Sequence, residues 1–298
     1  MTESYERLMQ NWKKNAILFL GSQTISLFGS SVVQYAIMWY ITLNTQSGMM
    51  MTIYILCGFV PTFLLSPFAG VWADRFNRKW LIIIADGFIA LATLLLAILF
   101  LLGLDSIWLL FAIAAVRAIG TGIQTPAVGA ILPQFVPEDK LTKVNGANGS
   151  LQALMMFVSP MVSAALLSLV AIEMIFFVDV ITATIAIVTL LVFFRIPSHE
   201  KASGDQVTGY LTDMKLGLAY IKNHTFLKSL FLFFAVFFVL MAPAAFLTPL
   251  QVTRSFGEEV WRLSAIEITF SIGMMIGGAW IAAWGGFANK VYTMTLST

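Results

Sequence analysis

Eight long apolar stretches restrict what this sequence can fold into. Each is about 20 residues or longer, roughly the length that an α-helix needs to cross a hydrocarbon core about 30 Å thick. Membrane barrel strands would be about half as long and would alternate in polarity, so an all-α membrane protein is predicted. The spans are placed at approximately 16–42, 50–72, 80–102, 107–132, 144–170, 174–194, 229–250 and 263–284.

The composition agrees with this interpretation. Hydrophobic residues make up 59% of the 298 residues and charged residues only 11%, which is about half the charge of a soluble domain. A soluble enzyme, a disulfide-rich secreted domain and a disordered chain are thereby excluded. Cys57 is the single cysteine, so an intramolecular disulfide is impossible.

The positions of the basic residues predict the orientation. If the N-terminus is cytoplasmic, 14 of the 17 Lys and Arg residues fall on the inner side, Arg254 and Arg262 fall in outer loops, and Arg117 lies inside a span. Because basic residues concentrate on the cytoplasmic side of membrane proteins, we expect a multi-pass protein with a cytoplasmic N-terminus.

One long inner connection divides the spans into six and two. We predict a six-helix bundle over 1–195, a cytoplasmic linker over 196–228, and the beginning of a second, incomplete bundle over 229–298. The linker is expected to contain an amphipathic helix, because apolar residues recur in it at helical spacing. These residues are Leu211, Met214, Leu218 and Ile221. A faint repeat, Asn77-Arg78-Lys79 and Asn289-Lys290, suggests that spans 7 and 8 correspond to spans 1 and 2.

Four charged residues fall inside predicted spans: Asp86, Arg117, Asp179 and Glu267. A charge facing lipid is costly, so each should face a cavity or a partner, and a structural ion pair is as good an interpretation as a functional role. Arg117 lies about 15 Å from the end of its span, close to the middle of the bilayer. Asp86 could lie at a similar depth in the bilayer, and the sequence leaves open whether Asp86 and Arg117 are in contact.

Polar residues at helical spacing predict a shared cavity for substrate. Interhelical hydrogen bonding is the alternative for each of them. The cavity candidates are Gln23, Ser30, Gln34, Thr121, Gln124 and Gln152.

Residue patterns for enzyme chemistry are absent from the sequence. His199 and His224 lie in the linker, Cys57 has no partner, and no Gly-Lys-Ser/Thr loop is present to cradle phosphates. We therefore expect a non-enzyme without metal, whose partners are an amphipathic small molecule and the lipid bilayer, and not nucleic acid. ATP-driven export would require a separate ATP-binding efflux partner protein, and the oligomeric state is left open.

Two motifs carry a resemblance to a known family. Gly70, Asp74, Arg75, Arg78 and Lys79 fall in the segment Gly-Val-Trp-Ala-Asp-Arg-Phe-Asn-Arg-Lys, between spans 2 and 3. Span 4 contains Arg-Ala-Ile-Gly-Thr-Gly, which begins at Arg117. Both segments resemble signatures of the major facilitator superfamily, and the chain as a whole is similar to its macrolide efflux proteins, which are drug:proton antiporters of the bacterial plasma membrane. Since that family has twelve helices, the resemblance implies a C-terminally truncated chain.

The resemblance implies roles for these residues. The motif at 70–79 would form a gate. Asp74 would lie near the N-terminus of the third helix, where its negative charge stabilises the helix through the dipole and can pair with Arg75 or Arg78. Arg117 would take part in proton coupling with Asp86, Asp179 or Glu267. The implied function is export of an amphipathic drug such as a macrolide in exchange for protons, which confers antibiotic resistance and uses the proton gradient instead of a cofactor. The alternatives are transport of another solute such as a siderophore, and a truncated membrane protein that does not transport.

Overall fold

The computed structural model describes residues 11–194 and 219–284, and within these residues it is helical with no strand. Eight helices are long and apolar enough to cross a membrane, which confirms the predicted all-α membrane class. Seven of them begin earlier than the predicted spans, by up to six residues, and the fourth begins at the predicted residue. They are α1 (Trp12–Thr45), α2 (Gly48–Arg75), α3 (Arg78–Leu101), α4 (Ile107–Ile131), α5 (Glu138–Leu169), α6 (Ile172–Phe193), α7 (Thr225–Phe256) and α8 (Val260–Trp284).

The turns between these helices are short, and residues within them end one helix and cap the next. Gln46 ends α1 in the left-handed region with φ of 48°, and the Ser47 hydroxyl next to it accepts a hydrogen bond from the Met50 amide at the start of α2. Asn77 caps α3 by accepting from the amides of Lys79 and Trp80. Such caps satisfy donors that have no partner within the helix.

The first six helices pack into one bundle. Going around it, α2 contacts α4, α4 contacts α3, α3 contacts α6, α6 contacts α1, and α1 contacts α5. Two apolar clusters fill its two ends: one surrounds Ile37, Leu96 and Phe176, and the other surrounds Phe19 and Phe135. Asp86, Arg117 and Asp179 lie between these clusters, at the level where α1, α3, α4 and α6 meet.

Two glycines bring the helices close at that level. A Cβ at Gly29 of α1 would overlap the Thr182 hydroxyl of α6 and lie 3.0 Å from the Cα of Asp179. A Cβ at Gly120 of α4 would lie 2.5 Å from Ile89 of α3. The absence of a side chain at both positions therefore lets short polar side chains meet across the helix interfaces.

The last two helices touch the bundle near one end. The Gln46 side chain accepts a hydrogen bond from the Thr253 hydroxyl of α7 at 3.1 Å, and the Ser264 hydroxyl of α8 donates to the Pro160 carbonyl of α5 at 3.2 Å. Trp39 and Leu263 pack together in the same region. The division into two bundles remains a prediction, since most of the linker and the repeat at Asn289-Lys290 lie outside the described residues.

One local prediction is wrong. Asp74 lies in the last turn of α2 and not at the start of α3, because α2 continues to Arg75. Asn77 occupies the capping position of α3, and no acidic residue lies in its first turn. An asparagine side chain provides the acceptor that was expected from the aspartate. The Asp74 side chain lies outside the described part of the structure.

Candidate functional site

An ion pair between Arg117 of α4 and Asp179 of α6 lies at the centre of the bundle. Asp179 is fully buried and Arg117 is 8% exposed. The Asp179 Oδ2 atom accepts hydrogen bonds from Arg117 and from the Thr93 hydroxyl of α3, the latter at 2.7 Å. Its Oδ1 atom accepts from the Ser30 hydroxyl of α1 at 2.7 Å. Both carboxylate oxygens are thus satisfied and the charge is balanced.

The guanidinium also ties this cluster to the backbone. Arg117 Nη2 donates to the Ser30 carbonyl at 3.1 Å, and Nη1 donates to the Thr93 hydroxyl. Four helices therefore meet at one pair of charges. Because a buried charge pair stays favourable only when its remaining hydrogen-bonding capacity is used, these bonds account for the presence of two charges at this depth.

A second polar cluster lies around Asp86, which is 2% exposed. The Ser26 hydroxyl donates to Asp86 Oδ1 at 2.9 Å, and the Gln124 side-chain amide donates to the same oxygen. The Asp86 Oδ2 atom and the Gln23 Nε2 atom are buried without a hydrogen-bond partner in the described part of the chain. Asp86 therefore does not pair with Arg117, the question that the sequence left open.

A cavity of about 210 Å³ opens between α1, α2 and α4, beside the ion pair. Ser30, Gln34 and Thr121, three of the residues predicted to form a substrate cavity, line it, and Arg117 forms part of its wall. Its apolar surface includes aromatic side chains of α2, Tyr54 and Phe59. Polar and apolar groups thus both line this cavity.

The other predicted cavity residues lie elsewhere. Gln23 and Gln124 belong to the Asp86 cluster, with their side chains 3.5 Å apart. Gln152 is exposed on α5 and does not line this cavity. Glu267 is half-buried on α8, where its charge acts on Tyr35 of α1.

Two residues of these clusters were not among the predicted site residues, Thr93 and Ser26. Thr93 follows Asp86 by two helical turns, so both lie on one face of α3, a spacing that could have identified it. Ser26 lies on the same polar face of α1 as Gln23 and Ser30.

The motif at the α2–α3 turn contacts the ends of two other helices. Arg78 donates to the carbonyls of Ala73 at 2.7 Å and Ala130 at 2.6 Å, and the Lys79 amine donates to the Phe194 carbonyl. Arg75 is exposed, and a Cβ at Gly70 would meet no atom within 4 Å among the described residues. The two inner basic residues of the motif thus join the turn to the ends of α4 and α6.

The arrangement as a whole defines a class of protein. It is a bundle of membrane-spanning helices with buried charges and a polar-lined cavity, and the architecture is that of a membrane transporter. The sequence matches the Major Facilitator Superfamily over residues 19–297, and the chain belongs to that family.

Three individual members of the family are similar to this chain in sequence. Macrolide efflux protein A of Streptococcus pyogenes is 33% identical over 287 residues, which cover 96% of this chain and 71% of that protein. Macrolide efflux protein A of Enterococcus faecalis is 33% identical over 251 residues, covering 84% and 77% respectively. A more distant match is the staphyloferrin A transporter of Staphylococcus aureus, 23% identical over 69% of this chain and 51% of that protein.

Proposed function

We propose that the protein is a secondary active transporter that exports an amphipathic drug such as a macrolide in exchange for protons. The observation that carries the proposal is the identity of 33% to two macrolide efflux proteins over most of the chain. The cavity beside Arg117 supports it, since polar Ser30 and Gln34 and aromatic Tyr54 and Phe59 all line it. An amphipathic molecule offers polar groups and an apolar surface to such a wall.

Proton coupling requires a group that changes its charge inside the bundle. Asp86, Arg117, Asp179 and Glu267 are the charged residues inside the spans predicted from the sequence, and we propose that coupling uses this set. Gly70, Asp74, Arg75, Arg78 and Lys79 are proposed to gate the cavity, because Arg78 and Lys79 join α2 and α3 to the ends of α4 and α6. Breaking those bonds would let the helix ends move apart.

We further propose a bacterial plasma membrane location with a cytoplasmic N-terminus, which the distribution of Lys and Arg favours. Antibiotic resistance would follow from drug export. The protein would act without catalysis and without a cofactor, and the proton gradient would supply the free energy. The small-molecule substrate and the bilayer are its proposed partners.

Transport by everted membrane vesicles tests the proposal. Vesicles with an acidic interior should accumulate a radiolabelled macrolide, and a protonophore should abolish the accumulation. The matched control is Lys140→Arg, an exposed residue that pairs only with its neighbour Asp139 among the described ion pairs, and it should transport like the unmodified protein. Accumulation that ignores the gradient would refute proton coupling.

A second candidate substrate is a siderophore, favoured by the match to the staphyloferrin A transporter. The same vesicles decide between the two substrates. Accumulation of staphyloferrin A without accumulation of a macrolide would support this candidate. A chain that reaches the membrane and moves neither substrate would support a membrane protein that does not transport.

A further inference from the structure

Two buried aspartates lie within the same bundle in opposite chemical situations. Asp179 has its negative charge balanced by Arg117, and both of its oxygens accept hydrogen bonds. Asp86 has both of its described hydrogen bonds on one oxygen, while the other is buried without a partner. The two carboxyl groups are therefore suited to different tasks.

Among the described residues no cation forms an ion pair with Asp86. The basic residues of α1 and α2, Lys13, Lys14 and Arg75, lie at the helix ends. Of the helices packed against α3, α4 contributes Arg117, whose guanidinium is bound to Asp179. From α6 comes Asp179 itself, a negative charge that acts on Asp86. Arg78 and Lys79, at the start of α3, donate to backbone carbonyls of neighbouring helices. The Asp86 carboxylate thus meets neutral donors and a like charge.

The contacts of Asp86 suit a group that binds and releases a proton. An ionised carboxylate at a site 2% exposed is costly without a countercharge, whereas the neutral acid is not. The Oδ2 atom has no hydrogen-bond partner among the described residues and can take the proton, and the Gln23 side chain lies beside the carboxyl, where its amide can donate to a carboxylate or a water molecule.

Gln124 connects Asp86 to the surface of α4. Its amide donates to Asp86 and lies 3.5 Å from the Gln23 side chain, yet Gln124 is itself only half-buried. Its neighbour Thr125 on α4 is exposed. Gln124 thus lies between the buried carboxyl and the exposed surface of its helix.

We infer that Asp86 takes up and releases the transported proton, and that Arg117 and Asp179 remain an ionised pair that fixes the four helices around it. The inference rests on the proton coupling of the proposed function. The step is a proton transfer alone: a proton from one side of the membrane binds Asp86 Oδ2, and the same O–H bond breaks when the site faces the other side. The change of charge at Asp86 then couples to the cavity through α1 and α4, since Ser26 and Gln124 share these helices with Ser30 and Thr121.

Infrared difference spectroscopy tests this inference without transport. Purified protein in lipid is taken through a pH change, and the carbonyl band of a protonated buried carboxyl is followed. Asp86→Asn should remove that band, whereas Asp179→Asn in the Arg117→Met background should retain it. A band that persists in Asp86→Asn would overturn the inference. Ser26→Ala keeps the carboxyl but removes one hydrogen-bond donor to it, so it should shift the band frequency. An unchanged frequency would also count against Asp86.

Transport separates this inference from the proposed function. Asp86→Asn should lose accumulation driven by a pH gradient while keeping substrate counterflow, which needs no proton transfer. If the unmodified protein is driven by the gradient and Asp86→Asn is equally driven, the inference fails and the proposed function stands. If the unmodified protein ignores the gradient, the proposed function fails, and the infrared measurement still decides whether Asp86 binds a proton.

Discussion

Removal of the Asp179 charge should destabilise the bundle strongly. Asp179→Asn keeps the size of the side chain and one oxygen, but it leaves Arg117, which is 8% exposed, without its described countercharge. Removing one partner of a buried ion pair costs about 3–5 kcal/mol. The lower end of that range applies here, because the guanidinium keeps its bond to the Ser30 carbonyl. A loss of about 3 kcal/mol lowers the ratio of folded to unfolded protein by roughly two orders of magnitude.

A double-mutant cycle separates the pair from the two single residues. Reversible unfolding in mixed detergent micelles would be followed by circular dichroism for Asp179→Asn, for Arg117→Met, and for both together. The double variant should recover much of the loss, since it contains no unpaired buried charge. Asp105→Asn is the matched control: it removes an exposed acidic side chain in the turn between α3 and α4 and should leave the free energy of unfolding unchanged.

Two results would refute the reasoning. One is an Asp179→Asn variant within about 0.5 kcal/mol of the unmodified protein, the range typical of surface substitutions. The other is a double variant that loses the sum of the two single losses, because additive losses indicate that the two residues act independently.

Other contacts give further predictions. Gly29→Val should lower expression and thermal stability in detergent, because the valine side chain would push α1 away from Asp179 and Thr182 of α6. Gly21→Val is the control and should change neither, because a Cβ at Gly21 would meet no atom within 4 Å. Asn77→Ala should cost about 1 kcal/mol by removing the cap of α3, and Asn77→Asp should restore most of it. In a Cys57→Ser background, a cysteine at Ser47 should react with an impermeant thiol reagent in intact cells and one at Ser203 should not; the opposite labelling would reverse the proposed orientation.

The number of spans could be predicted from the sequence because the hydrophobic effect of the bilayer acts on each segment separately. A stretch such as 80–102 contains all the information needed to make it a helix of membrane length. Helix ends were less accurate, since polar residues such as Lys13 and Glu138 continue a helix beyond its apolar part. The observed helices α1 and α5 begin at Trp12 and Glu138, earlier than the predicted 16 and 144.

The sequence predicted which residues the candidate site contains better than it predicted which of them form ion pairs or hydrogen bonds with each other. That charged residues in the spans need partners follows from the cost of placing them in lipid, and Arg117 does have one. Which carboxylate it binds depends on helix neighbours, and these are set by contacts such as that of Gly29 with α6. A glycine in an apolar helix does not show from the sequence alone which helix it faces.

The positions of these residues along their helices nevertheless favour Asp179 as the partner of Arg117. Measured from the end where α4 and α6 begin, Arg117 lies about 15 Å along α4 and Asp179 about 10 Å along α6. Since α3 runs the opposite way, Thr93 lies about 12 Å from the same end and Asp86 about 23 Å. Long side chains on a helix point back toward its N-terminus, so the guanidinium of Arg117 reaches toward the level of Thr93 and Asp179 and away from Asp86. Because of the direction of α4, Arg117 forms its ion pair with Asp179 and not with Asp86. A buried carboxyl without a neighbouring cation, such as Asp86, favours the protonated form.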